Sequence, residues 1–167
     1  MKTLIAYSTA HGCTEKTAEE LKGLLGGEVI LFNLKKNFNL NLTNFDRVII
    51  GGSIHAGQIQ KRVKEFCSHN LETLKTKELG LFICCMEQGE TAHKQLLAAF
   101  PEELHEAAKS TAVFGGEFDF EKMNFLQKFI VRKVSRVNES TSKIDYQAIH
   151  KFSNRMDKIF NPFLFLA

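Results

Sequence analysis

The chain has 167 residues, enough for one hydrophobic core and short of two comfortable ones. With 44% hydrophobic and 25% charged residues it reads as a folded globular protein, and two prolines and eleven glycines exclude a collagenous or proline-rich disordered chain. A net charge of +3 is too mild to argue for nucleic acid, so none is expected as a partner, and no apolar run reaches the about 20 residues that span a bilayer.

The first residues and the cysteines bear on compartment. Leu4, Ile5 and Ala6 after Lys2 form a run too short for the core of a signal peptide, and His11-Gly12 before Cys13 is too polar for a lipoprotein cleavage site. Cys13, Cys67, Cys84 and Cys85 show no CxxC spacing. They read as reduced thiols of a cytoplasmic protein, not as a disulfide framework, and no metal is expected.

In chain order, Thr3 to Tyr7 is an apolar run ending in small polar residues, and predicts a buried strand. Thr14 to Leu25 puts Thr17, Ala18, Leu21, Leu24 and Leu25 on one helical face, and Gly26-Gly27 ends that helix. Glu28 to Asn33 and Arg47 to Gly51 predict the second and third strands, and Ile59 to Leu71 a helix. Leu79 to Cys85 predicts a fourth strand, Gln88 to Phe100 a helix, and Thr111 to Gly115 a fifth strand. Phe120 to Val137 and Ile144 to Phe160 read as helices joined by the polar stretch Asn138 to Ser142. Apolar strands alternating with helices, without a repeat or linker, predict an α/β fold. One doubly wound domain over residues 1–167 would hold a parallel sheet with helices on both faces.

Such sheets bind ligands beyond the carboxyl ends of their strands. The loop after the first strand, Ser8-Thr9-Ala10-His11-Gly12-Cys13-Thr14, is hydroxyl-rich and opens directly into a helix. Its backbone N–H groups and the helix N-terminus make an anion cradle; plain N-capping by Ser or Thr is the alternative. It matches neither GxxxxGK[ST] nor GxGxxG, which disfavours a nucleoside triphosphate loop and a dinucleotide. The loop after the third strand continues as Ser53-Ile54-His55-Ala56-Gly57, where Ile54 and His55 are placed to flank a flat ring. His55 reads equally as a solvent-exposed loop histidine. The loop after the fourth strand, Met86-Glu87-Gln88, is polar, and Glu87 also suits the first turn of the next helix.

These residues resemble a known family. Tyr7, Thr9, Gly12, Thr14 and Ala18 occupy the fixed places of the flavodoxin signature: an aromatic residue ending an apolar strand, Ser or Thr, a small residue, Thr, and Ala four positions on. The resemblance implies a flavodoxin-like five-stranded sheet of order 2-1-3-4-5. It also implies FMN, with the phosphate on Ser8 to Thr14 and the ring between Ser53 to Gly57 and Met86 to Gln88. Within that group the run Phe45 to Gly57 and the segment from Gly115 through the basic helix are similar to the bacterial menaquinone-dependent protoporphyrinogen oxidases. The implied function is an FMN-dependent oxidoreductase of haem biosynthesis, passing electrons from a small-molecule redox substrate to a quinone. A flavodoxin-type electron carrier and a flavin-free binding module remain the alternatives. The chain departs from carrier flavodoxins in having no Trp, with Tyr7 and Tyr146 outside the second and third loops, and in its mild positive charge. Both departures favour an oxidase or dehydrogenase. No residue stands out as a general acid or base; His55 is the one loop group that titrates near neutral pH beside the ring's expected place.

Phe120 to Val137 holds Lys122, Lys128, Arg132, Lys133 and Arg136 against Glu121 alone, with Met123, Leu126, Phe129, Ile130, Val134 and Val137 at helical spacing. A basic amphipathic helix packs its apolar face on a sheet, lies in a membrane interface or meets an acidic partner. Ile159 to Ala167 is apolar and too short to span a bilayer; packing on the domain, a homodimer contact and a lipid contact are open to it.

Overall fold

The computed structural model describes residues 1–36 and 40–158, so the expectations for the helix end at Phe160 and for Ile159 to Ala167 lie outside the described residues. Strand β1 is Lys2–Tyr7, followed by helix α1, Cys13–Leu24, and β2, Glu28–Asn33. Strand β3, Arg47–His55, turns back into the short β4, Gln58–Ile59, before α2, Lys61–His69, and the single turn α3, Leu71–Leu74. Then come β5, Glu78–Cys84, α4, Gly89–Ala99, α5, Glu102–Ala107, and β6, Ala108–Val113. The rest is β7, Glu117–Phe118, α6, Phe125–Ser135, β8, Thr141–Ser142, and α7, Tyr146–Asp157.

The sheet runs β2-β1-β3-β5-β6 with every neighbour parallel, which is the expected 2-1-3-4-5 order over the five long strands. The chain leaves β1 toward β2 on one side and reaches β3 on the other, so the switch point lies beyond the carboxyl ends of β1 and β3. Strand alternation divides the apolar side chains between two faces. Leu4, Ala6, Val48, Ile50, Leu81 and Ile83 pack toward α2, α4 and α5, while Ile5, Tyr7, Ile49, Phe82 and Cys84 pack toward α1 and α7. Because both faces are covered, the strands show continuous apolar runs.

The sheet has a further strand that the sequence pattern does not announce. Ala56 and Gly57 both have positive φ, 48° and 75°, and form a two-residue hairpin turn that folds β4 back on β3. The predicted helix from Ile59 therefore starts only at Lys61, because Ile59 is paired with Ile54 in the hairpin. The fifth strand begins earlier than Thr111, at Ala108, through a register shift against β5 at Leu79/Gly80.

The largest departure follows β6. The expected single helix Phe120 to Val137 is two elements. Asp119 caps a 3-10 turn at Phe120–Lys122, and Asn124 with Gln127 then forms a reciprocal capping box that starts α6 afresh. Arg136, left-handed at φ 54°, ends it. The polar stretch expected as a linker contains β8, which pairs antiparallel with β7. Residues 117–142 thus form an arm that leaves the sheet at Gly115, whose φ of 74° turns the chain outward, and returns at Lys143. The last helix starts at Tyr146, not Ile144, because the Asp145 carboxylate accepts from the Ala148 N–H at 2.9 Å.

A buried arginine fixes α7 at the opposite end of the sheet. Arg47 donates to Asp157 at 2.7 Å, to the Met156 carbonyl at 2.6 Å and to Glu78 at 3.2 Å. Among the described residues no helix is long and apolar enough to cross a membrane.

Candidate functional site

The loop between β1 and α1 is built for an anion. Gly12 takes φ 94° as the N-cap residue, and no side chain caps the helix. The N–H groups of the first turn of this 12-residue helix therefore face out of the loop with the positive end of the helix dipole behind them. Thr9 Oγ1 accepts from the Gly12 N–H at 2.9 Å and shapes the turn. Ser8 is buried, its N–H bonded to the Gly51 carbonyl at 3.1 Å. The Thr14 hydroxyl is fully buried beside the Cys84 sulfur, whose pKa it lowers as a weak donor, and has no other hydrogen-bond partner. A buried hydroxyl with only a weak sulfur partner, on an uncapped helix N-terminus, fits a phosphate.

Sequence reasoning missed one cation here. A Cβ built on Gly12 would lie 3.0 Å from Lys122 Nζ, so the arm brings an ammonium group to the mouth of the loop. Lys122 also pairs with Asp119 at 3.4 Å. Only the fold of the arm places it; its membership of the basic run was the sole trace in the sequence.

Next to this loop lies a cleft of about 110 Å³ at the carboxyl ends of the strands. Thr9, His11 and Cys13 line it from the first loop, Ser53, Ile54 and His55 from β3, and Met86 from the loop after β5. Ala10, Ala56, Gly57, Glu87 and Gln88 do not line it: all five are solvent-exposed, Ala56 and Gly57 at the tip of the β3–β4 hairpin. Cys84, Cys85, Gly116, Glu117, Phe118, Met123 and Val131 complete the wall, and the last four, from the arm, were not anticipated. The volume is below the about 300–1,000 Å³ usual for small-molecule sites. The phosphate end suits FMN as it stands, whereas a tricyclic ring enters only if the wall supplied by the arm moves outward.

The wall is ordered by hydrogen bonds. Gln60 Nε2 donates to Ser53 Oγ at 2.6 Å, while Gln60 Oε1 accepts from the Ser53 N–H at 2.9 Å. Ser53 Oγ also lies 3.1 Å from His55 Nε2. Since the hydroxyl oxygen keeps a second lone pair beside the Gln60 bond, the His55 tautomer sets which of the two donates. His11 meets His55 edge to face, their centroids 5.9 Å apart, and its Nδ1 is buried with no hydrogen-bond partner. Desolvation lowers the pKa of both histidines, and the proximity of His11 lowers that of His55 further.

The cleft thiols are shifted in opposite directions. Cys13 donates to Cys84, which together with burial pushes the Cys13 thiol up and pulls Cys84 down. Thr17 Oγ1 donates to the Thr14 carbonyl at 3.0 Å and lies 3.4 Å from Cys84 Sγ. Burial raises Cys85 to about 11. Tyr7 contributes no ring to the cleft. Its hydroxyl bonds Glu15 at 2.7 Å, and burial, with that carboxylate, raises its pKa.

The family model described as Flavodoxin domain matches residues 4–145, most of the chain. The chain belongs to the flavodoxin-domain family. That membership supports an FMN-type redox role. Among solved structures, the oxidised flavodoxin 1 of Bacillus cereus shares 16% identity at a TM-score of 0.59, covering 96% of this chain and all of that one. The Trp repressor binding protein of Bacillus subtilis shares 14% at 0.58, again covering 96% of this chain and all of its own. The flavodiiron protein of Giardia intestinalis shares 13% at 0.51 over 93% of this chain, which spans only 36% of that protein. The chain likewise spans 37% of the rubredoxin oxygen:oxidoreductase of Desulfovibrio gigas. Identities this low show a shared fold alone. No curated protein matches the flavodoxin-domain chain in sequence.

Proposed function

We propose that the chain is an FMN-dependent oxidoreductase, a quinone-linked dehydrogenase of the protoporphyrinogen-oxidase kind. One conjunction carries the flavin: an uncapped α1 N-terminus, a left-handed Gly12 and a buried Thr14 hydroxyl with only a thiol beside it, all in one loop. In this reading Ser8 to Thr14 hold the phosphate with backbone N–H groups and the Thr14 hydroxyl, and Lys122 supplies the countercharge. Ser53, Ile54, His55 and Met86 flank the ring. When bound, FMN supplies the two-electron chemistry. The protein's own contribution is placement and exclusion of water. Ile54, Met86, Phe118 and Met123 line the cleft with apolar surface, and Ser53 holds the His55 ring at its wall.

Two features support an enzyme over a one-electron carrier. Neither Tyr nor Trp lines the cleft among the described residues, so neither stacks on the ring to tune its potential. The net charge is positive, the reverse of what a strongly acidic carrier surface presents. The porphyrinogen and the quinone rest on the resemblance of residues 45–57 and of the segment from Gly115 through the basic helix.

The test is spectroscopic first. Purified protein mixed with FMN and passed through gel filtration should retain flavin absorption. Loss of all flavin would overturn both the oxidoreductase and the carrier. The loaded protein is then given protoporphyrinogen with a menaquinone analogue. Porphyrin fluorescence rising with quinone reduction supports the dehydrogenase. Flavin that accepts electrons only from a partner reductase is the carrier's result.

A further inference from the structure

Helix α6 is folded yet buries none of its side chains. Phe125 is 86% exposed, Val134 77%, Leu126 65%, Phe129 55% and Ile130 50%. An isolated helix of this length is marginal in water, and amphipathic helices gain their stability by covering the apolar face. The face turned away from the body is therefore made for a partner. The expectation that it packs on the sheet fails: only Val131 turns inward, to the wall of the cleft.

Charge decides which partner. Five basic residues, Lys122, Lys128, Arg132, Lys133 and Arg136, fall within residues 122–138, and no acidic residue does. Two copies meeting through this face would bring like charges together. The long cations run beside the apolar residues: Lys133 Nζ lies 5.9 Å from the Phe129 ring centroid, and the Arg132 guanidinium carbon 5.5 Å from that of Phe120. Apolar stems with snorkelling cations, interleaved with exposed Phe, Leu, Ile and Val, suit the boundary between headgroups and acyl chains. We propose that α6 lays the protein on an anionic lipid surface, with Phe125, Leu126, Phe129, Ile130 and Val134 entering the interface and Lys128, Arg132, Lys133 and Arg136 meeting lipid phosphates. Because Val131 is in the cleft wall, such docking sets the cleft beside the bilayer. The proposal does not depend on the flavin.

The test is flotation of the full chain, with and without FMN, on vesicles of phosphatidylcholine alone and with 30% phosphatidylglycerol, on the order of the anionic content that gives a surface potential of tens of millivolts. Binding is expected on the anionic vesicles only, and is expected to weaken with salt. Lys128→Gln with Lys133→Gln should lower the partition coefficient roughly 25-fold, about five-fold per charge. Phe129→Ser with Ile130→Ser should abolish retention while leaving the circular dichroism of the protein unchanged, since both positions face solvent. No retention on anionic vesicles overturns the proposal. So does retention that either variant leaves intact, a stable dimer dispersed by the Phe129/Ile130 variant, or binding to an acidic polypeptide in place of vesicles.

Discussion

Thr14→Val separates a phosphate ligand from a structural threonine, because the two roles predict opposite signs. The hydroxyl is fully buried with only the Cys84 sulfur for a partner, so the FMN-free protein bears most of its desolvation uncompensated. An unpaired buried polar group costs about 1–3 kcal/mol. Contact with the Cys84 sulfur recovers part of this, which leaves an expected gain of about 1 kcal/mol when a methyl group takes its place. In a chain of this size that raises the melting temperature by about 2–4 °C. In the FMN complex the same substitution removes a hydrogen bond to a charged group, worth about 1.5–3 kcal/mol, so affinity falls about 10- to 150-fold. Thermal melts of FMN-free protein and quenching of FMN fluorescence on titration measure the two arms. Thr14→Ser, which keeps the hydroxyl, should bind FMN nearly as the parent does. A Thr14→Val protein that melts lower and binds FMN unchanged would refute the assignment of this hydroxyl to the phosphate.

Three further outcomes follow from the same geometry. Lys122→Gln should weaken FMN about three- to five-fold and flatten the salt dependence of binding, without moving the melt of the FMN-free protein, since the side chain is largely exposed. Arg47→Met strands Asp157 and the Met156 carbonyl at the base of α7; it should cost about 3 kcal/mol, the low end for a broken buried pair because both carboxylates keep solvent contact, and lower the melt by about 6–12 °C. His11 has a lowered pKa when folded, so the unfolded chain binds more protons over the interval below the ordinary value of about 6.5. Its contribution to stability is complete above that pH and is lost as pH falls toward the folded value. Urea midpoints measured from pH 7.5 downward should therefore drop less steeply in His11→Gln.

Much of the fold was legible because continuous apolar runs mark strands covered on both faces. Leu4 to Tyr7, Val48 to Ile50 and Leu79 to Cys84 all behave so. What escaped depends on single residues or on distant ones. The β3–β4 hairpin turns on Ala56-Gly57, where Ala adopts a positive φ that its side chain ordinarily disfavours. The restart of α6 depends on Asn124 and Gln127 acting together inside an otherwise helical pattern. The first loop was readable from local composition, and so were Ser53 to His55. Lys122, Phe118 and Met123 were not, since their approach to the β1 loop and the cleft exists only once β7 has paired with β8. Ala10, Glu87 and Gln88 show the converse: loop membership put them near the strand ends, and the turn geometry points them to solvent.

The arm leaves and rejoins the body at almost one point. The Gly116 carbonyl accepts from the Lys143 N–H at 2.8 Å, and the Phe114 carbonyl from the Asp145 N–H at 2.9 Å. A segment whose ends are already clasped adds little closure entropy to the rest of the chain, and each doubling of its length changes that by only about 0.6 kcal/mol. Residues 117–142 thus join the sheet through one closed neck, with Phe120 and Met123 packed back on the body. The exposed part beyond Met123, helix α6, can change in length at little closure cost to the core. The part of the chain that presents the basic helix is the part freest to diverge.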